Sequence, residues 1–387
     1  MIGWEYPPHN SGGLGVACQG IVENLVDQGE EILLVLPSSV SLTDGKIEEM
    51  STPEGKRYKV LFIHSPIRPY AGHDGDIYPT DLMRDVELFA RRVLASVENE
   101  DFDLVHVHDW LTVPAGIAVK EMMKKPLIMH VHSTEHDRTA GGNYNKEVEM
   151  IEKKGFDSAD IIITVSKYTK KLLVEKFGVQ EEKIRVVHNG NNFFPVEGTV
   201  SVAFLKNNPV VLFVGRLTIQ KGPDYFLELA RKVLNKRPET IFVFAGNGDM
   251  YQHLMLTSAY QQLSGSVLFA GFLRDSAKDR LYQRADIFVM PSVSEPFGIV
   301  ALEAAVAGKP VIVSKTSGVS EVLPSAIKLD FWDTELMAKS VLHLIDSSDD
   351  RRELGEKVRK EAGAVTWDKA AIKIKDNYQQ LLLPAYA

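Results

Sequence analysis

The stretch "PSVSEPFGIVALEAAVAGKP", residues 291–310, carries the clearest local signals of the fold. Apolar β-branched runs lie on either side of it, at residues 287–290 and 310–313, and both are typical of buried strands. Residues 297–307 between them are almost wholly apolar. Pro296 suits the start of a helix there and Gly308 suits its end. Strand, helix and strand in this order predict a parallel βαβ unit.

The same alternation of short apolar runs and longer amphipathic segments continues in both directions along the chain. Further strands are predicted at residues 31–36, 58–64, 104–108, 127–132, 161–165, 184–187, 210–214, 240–245 and 267–270. Helices are predicted at residues 16–28, 82–98, 169–177, 223–235, 251–263 and 277–284. Residues 1–4 resemble the end of a strand, so either the first strand is very short or the reading frame begins upstream of Met1.

Two parallel-sheet domains are expected from this pattern, because 387 residues suffice for two ordinary cores. We place the first domain at residues 1–190 and the second at residues 209–365. The expected linker is residues 191–208, part of a stretch rich in Asn, Gly and Pro at residues 189–208. Residues 366–387 form an expected C-terminal helix that crosses back to the first domain. Two such domains in tandem predict a ligand in a central cleft that both face.

Composition excludes several classes of protein. The net charge of −8 argues against nonspecific binding to nucleic acid or to an anionic membrane. Cys18 is the single cysteine, so neither an intrachain disulfide nor a cysteine-based zinc site is expected. The sequence shows no bilayer-spanning apolar run and no secretory leader. We therefore expect a cytoplasmic protein.

Glu303 is the single charge in the apolar segment of residues 297–307. A carboxylate in such a helix is costly unless a partner bonds to it. The partner could be a neighbouring Lys or Arg, or a ligand with two hydroxyls such as a ribose. The predicted helix start at Phe297-Gly298-Ile299 also offers backbone N–H groups to a ligand.

Glu295 and Glu303 in this strand-turn-helix setting resemble the E-x7-E motif of retaining glycosyltransferases with the GT-B fold, family four and its starch-synthase relatives. The resemblance implies that Glu303 holds the donor ribose and that Glu295 contacts the donor sugar near the reacting centre. It also implies that the N–H groups of Phe297, Gly298 and Ile299 contact sugar hydroxyls or phosphate.

The segment "VGRLTIQKG", residues 214–222, supports this resemblance. An Arg and a Lys after a strand can clamp a diphosphate and neutralise a leaving nucleotide. Taken alone, such residues are more often solvated loop charges. The family resemblance assigns the phosphate role to Arg216 and Lys221.

The first half carries a similar glycine loop and two histidine clusters. "NSGGLG", residues 10–15, resembles the family loop that reaches the donor phosphates, which implies donor contacts at Gly13 and Gly15. Starch synthases have Lys where this chain has Asn10, which favours family four. "HVHDW" and "HVHSTEHDR" begin at His106 and His130. The resemblance makes His132 the catalytic histidine that meets the donor sugar.

The expected activity is transfer of a hexosyl group, with glucose as the expected sugar, from a nucleotide-diphosphate sugar to a carbohydrate acceptor hydroxyl. No cofactor and no metal are expected, because Arg216 and Lys221 supply the phosphate counter-charge. Asp74-Gly75-Asp76 superficially matches a metal-binding DxD motif, but no predicted strand precedes it. The sequence leaves the acceptor site unassigned.

Three alternatives remain open. A phosphorylase or an epimerase would use the same fold. A metallohydrolase would use the histidine clusters with Asp109 or Asp137, and would leave Glu295 and Glu303 without a role. A sugar-binding protein that has lost catalysis is the third.

Overall fold

A computed structural model describes residues 1–8, 12–38, 46–65, 67, 81–191, 208–273 and 275–383. The chain divides into two compact units. The first unit comprises Met1–His136, Gly141–Gly190 and Thr366–Ala387, and the second comprises Asp137–Ala140 and Asn191–Val365. Asn10, the Asp74-Gly75-Asp76 segment and all but the ends of the expected linker lie outside the described residues.

Strands and helices alternate through the first half of the chain. The strands are β1 (Leu33–Ser38), β2 (Lys46–Ser51), β3 (Arg57–His64), β4 (Val105–His108), β5 (Leu127–Val131), β6 (Ile161–Thr164) and β7 (Ile184–Val186). The helices are α1 (Gly13–Asp27), α2 (Leu82–Val97), α3 (Val113–Met123), α4 (Glu135–Arg138), α5 (Lys146–Ser158) and α6 (Lys167–Phe177).

Ile2 joins two groups of strands in the first unit, β2-β3-β1 and β4-β5-β6-β7. It forms parallel bridges to Val35 of β1 and to Val107 of β4. Its N–H donates to the His106 carbonyl at 2.8 Å, and its carbonyl accepts from the His108 N–H at 3.2 Å. Counted from Ile2 as the first strand and with the edge strand β2 left out, the order runs 3-2-1-4-5-6-7, and its first six positions are the Rossmann order. Among the described strands, only β2, at the edge, pairs antiparallel.

The second half has the elements of a second such unit. Its strands are β8 (Val210–Val214), β9 (Ile241–Ala245), β10 (Val267–Gly271), β11 (Ile287–Met290), β12 (Val311–Ser314) and β13 (Ile327–Leu329). Its helices are α7 (Pro223–Leu234), α8 (Tyr251–Tyr260), α9 (Asp275–Arg284), α10 (Ile299–Val306), α11 (Thr334–Asp346) and α12 (Ser348–Ala362).

The sheet of the second unit has the order β10-β9-β8-β11-β12-β13, and each pair of neighbouring strands is parallel. This is the strand order 3-2-1-4-5-6, and its reversal point lies where β8 meets β11. All of β9 and β11 is buried, as expected when helices cover both faces. Phe213, Phe226 and Phe244 pack against one another in the core.

The last helix, α13 (Trp367–Leu382), belongs to the first unit and packs along α1. Trp367 and Tyr378 are buried there. Gln28 Nε2 donates to the Asp368 carbonyl at 2.8 Å, and the ammonium of Lys375 lies 2.8 Å from a Glu30 carboxylate oxygen. No described helix is both long and apolar enough to cross a bilayer.

The predicted boundaries need correction at a few helix ends. α1 begins at Gly13 rather than at residue 16, because the glycine-rich segment itself enters the helix. α10 begins at Ile299 rather than at residue 297, because Gly298 is the N-cap, with a φ of 107° that is not helical. Phe297 therefore lies before the helix.

Candidate functional site

The loops at the carboxyl edge of the second sheet form the candidate site. In an open parallel sheet, ligands bind outside the carboxyl ends of the strands at the point where strand order reverses. Here that point lies between β8 and β11, which pair in parallel at Ile287–Val211 and Phe288–Leu212. The loop after β8 carries Arg216 and Lys221. The loop after β11 carries Glu295.

Backbone hydrogen bonds tie these loops together. The Val293 N–H donates to the carbonyl of Gln220, a residue of the β8 loop, at 2.9 Å. The Glu295 N–H donates to the Thr316 carbonyl in the loop after β12, also at 2.9 Å. On the other side, the Leu217 N–H donates to the Asn247 carbonyl in the loop after β9 at 2.9 Å. Four loops thus hold one another, and the site is preorganised by its own backbone.

Gly246, in the loop after β9, permits a very close approach to the loop after β8. A Cβ at this position would lie 1.8 Å from the Gly215 carbonyl oxygen, and Gly246 has a φ of 154°. Any side chain there would push the two loops apart. The loop that carries Arg216 therefore depends on a glycine in the neighbouring loop.

Lys221 and Glu295 form an ion pair inside this group of loops. Lys221 Nζ lies 2.6 Å from Glu295 Oε2, and the two side chains are 19% and 6% exposed. Ser292 Oγ donates to the same carboxylate oxygen at 3.2 Å. Two residues that the sequence assigned to separate roles, phosphate clamp and sugar contact, thus lie in direct contact.

Arg216 follows β8 and is partly buried. Its Nη2 donates to Gln220 Oε1 at 3.4 Å. Gln220 is itself almost completely buried and holds the β11 loop through its backbone carbonyl. The guanidinium is thereby held on the same loop as Lys221.

Gly298 shapes the start of α10. A Cβ added to this residue would lie 2.8 Å from Met290 Cε and 3.3 Å from Glu295 Cγ. Its left-handed backbone would also strain any other residue. Because Gly298 turns the chain sharply, Ile299 opens the helix directly after the Glu295 loop. Backbone N–H groups at a helix start favour anionic or hydroxyl oxygens of a ligand.

Glu303 has two side-chain partners from α9. Lys278 Nζ lies 2.7 Å from Glu303 Oε1, and the Tyr282 hydroxyl donates to Oε2 at 2.9 Å. The ion-pair explanation for a carboxylate in this apolar helix is therefore realised. These two partners do not use all the acceptor positions of the carboxylate, because its two oxygens accept about four hydrogen bonds in total.

Tyr282 is fully buried beside that carboxylate. Burial, together with the negative charge of Glu303, raises the pKa of the Tyr282 hydroxyl well above its usual value. The hydroxyl is therefore protonated at neutral pH and remains a hydrogen-bond donor to Glu303.

The reversal point of the first sheet carries glycines and histidines. Ile2 is the central strand there, and α1 begins at Gly13 with Gly12 as its N-cap. β4 ends at His108, and β5 ends one residue before His132. The Asp109 carboxylate accepts from the His132 N–H at 2.7 Å and from the Ser133 N–H at 3.2 Å. Asp109 has a φ of 57°, a conformation that non-glycine residues rarely adopt.

Four buried histidine rings lie against one another at this edge, and we name His106, His108, His130 and His132 the histidine stack. Centroids of His106 and His108 are 4.6 Å apart with an interplanar angle of 18°. Those of His130 and His132 are 4.3 Å apart at 15°. His108 Nδ1 lies 2.9 Å from His132 Nε2, and His106 Nδ1 lies 2.6 Å from the Tyr378 hydroxyl.

The histidine stack is electrically neutral at pH 7. Burial lowers the pKa of His132 to about 3. Burial and the neighbouring histidines lower the pKa values of His106, His108 and His130 well below the usual value. Among the described residues, five buried ring nitrogens of the stack have no hydrogen-bond partner: His106 Nε2, His108 Nε2, both of His130 and His132 Nδ1.

Two groups of ring and thiol atoms in this region are close enough to suggest a metal site. Each has its ligand atoms within 4.8 Å of one another: His106 with His108 and His130, and Cys18 with His108 and His132. A coordinated ion lies in the plane of each imidazole that binds it. His106 and His108 are stacked nearly parallel, so their lone pairs do not converge on one point. The rings of this first group do not form a coordination shell.

Sequence reasoning missed several residues of both sites. Lys278 and Tyr282 are spaced i, i+4 on α9, so they share a helix face, and this spacing was the available signal. Gln220, Asn247 and Ser292 act through loop contacts that no spacing reveals. The bond between His108 and His132 joins two neighbouring strand ends, which the adjacency of β4 and β5 could have suggested.

Comparisons with known proteins agree with this architecture. Residues 11–192 match the model "Glycosyltransferase Family 4", and residues 200–361 match "Glycosyl transferases group 1". An uncharacterized glycosyltransferase of Methanocaldococcus jannaschii is 32% identical, over 84% of this chain and 82% of that protein. The glycogen synthase of Mycobacterium tuberculosis is 28% identical, over 84% of this chain and 79% of that protein.

A solved structure supports the same fold. The sucrose-phosphate synthase from Thermosynechococcus elongatus superposes with a TM-score of 0.80 at 20% identity, and covers 98% of both chains. The predicted fold class, two Rossmann-like parallel-sheet domains, is confirmed. The chain belongs to the group 1, family 4 glycosyltransferases, which have the GT-B fold and transfer a sugar from a nucleotide sugar.

Proposed function

We propose that this enzyme transfers a hexosyl group, glucose in the first instance, from a nucleotide-diphosphate sugar to a hydroxyl of a carbohydrate acceptor with retention of configuration. The observation that carries the proposal is the arrangement at the β8–β11 reversal point. There the Lys221–Glu295 pair and the start of α10 lie in one hydrogen-bonded group of loops. The similarity to a glycogen synthase supports glucose and a glucan-like acceptor.

In the proposed donor complex, Glu303 accepts hydrogen bonds from the ribose. Lys278 and Tyr282 each occupy one position on its carboxylate, one on each oxygen. Since a carboxylate accepts about four hydrogen bonds, the two hydroxyls of a ribose can occupy the rest. Lys278 and Tyr282 keep the carboxylate oriented before the donor arrives. The ion pair and the ligand contact are therefore compatible.

Arg216 and Lys221 are proposed to bind the diphosphate. Cations held in place before reaction stabilise negative charge on a departing nucleotide without reorganising solvent. The N–H groups of Phe297, Gly298 and Ile299 would add neutral donors at the start of α10. Glu295 anchors Lys221 and, in this proposal, contacts the donor sugar as well. This set of charges replaces the divalent cation that other phosphate-transfer sites use.

The first unit is proposed to contribute Gly13 and Gly15 near the phosphates, and His132 near the donor sugar. Because His132 is neutral at pH 7, it acts as a hydrogen-bonding group and not as a cation. It would orient the sugar while the acceptor hydroxyl attacks from the face that the nucleotide leaves. The departing phosphate would take the proton of the acceptor hydroxyl.

A donor screen tests the proposal. The wild-type enzyme is incubated with UDP-, ADP- and GDP-sugars, with and without glucan acceptors, and the released nucleoside diphosphate and the product linkage are measured. We expect acceptor-dependent release from one glucose donor and an α-linked product, with Glu295→Gln as the low-activity control. Release that requires inorganic phosphate, or an inverted linkage, would favour a different reaction on this fold.

A further inference from the structure

We infer that His108 is a positioning residue for His132: its Nδ1, 2.9 Å from His132 Nε2, fixes the orientation and the tautomer of the His132 ring. The inference rests on the proposed function, in which His132 meets the donor sugar.

Three separate restraints act on His132. Its backbone is held by Asp109, whose carboxylate accepts from the N–H groups of His132 and Ser133. One face of its ring lies on His130, with centroids 4.3 Å apart. The hydrogen bond between His108 Nδ1 and His132 Nε2 holds the ring edge. A stacking contact permits an imidazole to flip by half a turn, whereas a hydrogen bond at one nitrogen does not.

The hydrogen bond also determines what the other nitrogen can do. A neutral imidazole has one N–H donor and one acceptor nitrogen, so only one proton is shared along the His108–His132 contact. If His132 Nε2 donates, Nδ1 is an acceptor; if Nε2 accepts, Nδ1 carries the N–H. His132 Nδ1 is buried and has no hydrogen-bond partner among the described residues. Whether this nitrogen is a donor or an acceptor is therefore set by the hydrogen bond at Nε2.

His106 provides a matched control inside the same stack. It is as deeply buried as His108, and its ring stacks on His108 at 4.6 Å. Its hydrogen bond, however, goes to Tyr378 on α13 and not to His132. Loss of either ring nitrogen costs a buried hydrogen bond, but only the change at His108 alters His132.

The kinetic test compares His108→Phe, His108→Asn and His106→Phe under saturating acceptor. Phe keeps the ring and the stack but cannot bond to His132, whereas the Asn amide can supply either a donor or an acceptor. We expect His108→Phe to lower kcat between about tenfold and a hundredfold with the donor KM within twofold, since a small misplacement of a reacting group has effects of this size. His108→Asn should recover most of the loss, and His106→Phe should stay within twofold of wild type.

Equal losses in His108→Phe and His106→Phe would overturn the inference, as would no recovery in His108→Asn. Thermal melts identify folded variants, and His108→Leu replaces His108→Phe if the latter does not fold. A second readout needs no activity: the ring ¹⁵N signals of His132 in the ligand-free enzyme report its tautomer. They should change in His108→Phe and not in His106→Phe. If the wild type transfers no sugar, the proposed function fails while the tautomer measurement still decides the role of His108.

Discussion

The two units carry opposite kinds of polar chemistry at corresponding points of their sheets. In the second unit, ammonium groups pair with the carboxylates Glu295 and Glu303. In the first unit, four imidazoles with lowered pKa values stack as neutral rings. Both sets lie at the carboxyl ends of neighbouring parallel strands in the Rossmann order. One topology thus supports a charged site and a neutral site, and the side chains decide which.

The difference indicates a division of labour. Preformed ion pairs suit a ligand that brings its own charge, because the protein need not create a counter-charge when the ligand arrives. Neutral stacked rings suit uncharged hydroxyls, which need orientation more than charge. The proposed assignment of diphosphate to the second unit and sugar contact to His132 follows this difference.

The largest effect that we expect is a loss of folding stability in acid, caused by the histidine stack. Each histidine of the stack has a folded-state pKa below its unfolded value of about 6.5, so the unfolded chain binds more protons as the pH falls. The contribution of these neutral rings to the free energy of unfolding is therefore fully present above about pH 6.5. Below that pH it is lost, by up to about 1.4 kcal/mol per histidine per pH unit. Urea unfolding between pH 7.5 and pH 5.5 measures this.

The matched variant for this prediction is His106→Phe, which removes one titrating ring. Its pH slope should be shallower by up to about 1.4 kcal/mol per pH unit. A wild-type slope near zero would show that the rings are already charged or that solvent reaches them.

Loss of charge at Lys221 should have the next largest effect. Lys221→Met removes a phosphate contact and leaves the buried Glu295 carboxylate without its counter-charge. We expect kcat/KM to fall by about 10²–10³, the range for removal of one preorganised donor. We also expect a loss of folding stability. Breaking a fully buried ion pair costs about 3–5 kcal/mol, and the loss here should be smaller because Lys221 is partly exposed.

Two further variants separate these effects. Lys221→Met with Glu295→Gln should recover stability without activity, because no unpaired charge remains. Lys315→Met, which breaks the exposed pair with Asp330, should change neither quantity measurably. Full activity in Lys221→Met would show that Lys221 does not bind the donor.

The two glutamates should separate kinetically. Glu303→Gln should chiefly raise the donor KM, since a charge-assisted hydrogen bond contributes about 1.5–3 kcal/mol. Glu295→Gln should chiefly lower kcat, by about tenfold if about 1.4 kcal/mol of transition-state stabilisation is lost. Steady-state kinetics over donor concentration measures both. Wild-type kinetics in both variants would contradict the assignment of the E-x7-E motif.

Chelation should have the smallest effect of all. Because Arg216 and Lys221 supply the positive charge, initial rates with and without EDTA should agree within about twofold. Loss of turnover that a single divalent ion restores would show that Arg216 and Lys221 do not supply enough counter-charge for the diphosphate.

Much of the fold could be predicted from the sequence, because buried parallel strands appear as continuous apolar runs. The predicted strands at residues 210–214 and 287–290 coincide with β8 and β11. β2, "KIEEMS", was missed because it is an edge strand with largely exposed side chains and no apolar run. The strand order could not be derived, since pairing of β8 with β11 joins segments far apart in sequence.

The candidate site could be predicted in its residue types but not in its contacts. Glu303 in an apolar helix predicted a partner, and the structure supplies Lys278 and Tyr282. The direct pairing of Lys221 with Glu295 was not predicted, because it depends on how two loops fold over Gln220 and Gly246. The histidines were expected at strand ends, but their stacking depends on the side-chain rotamers there.

The position of α13 has a consequence for synthesis. Trp367, Ile374 and Tyr378 bury their side chains in the first unit, and Tyr378 also bonds to His106. On the ribosome, the second unit emerges in full before these residues do, although domains more commonly complete folding in order from the N-terminus. Until α13 leaves the exit tunnel, the nascent first unit exposes the face of α1 that this helix covers.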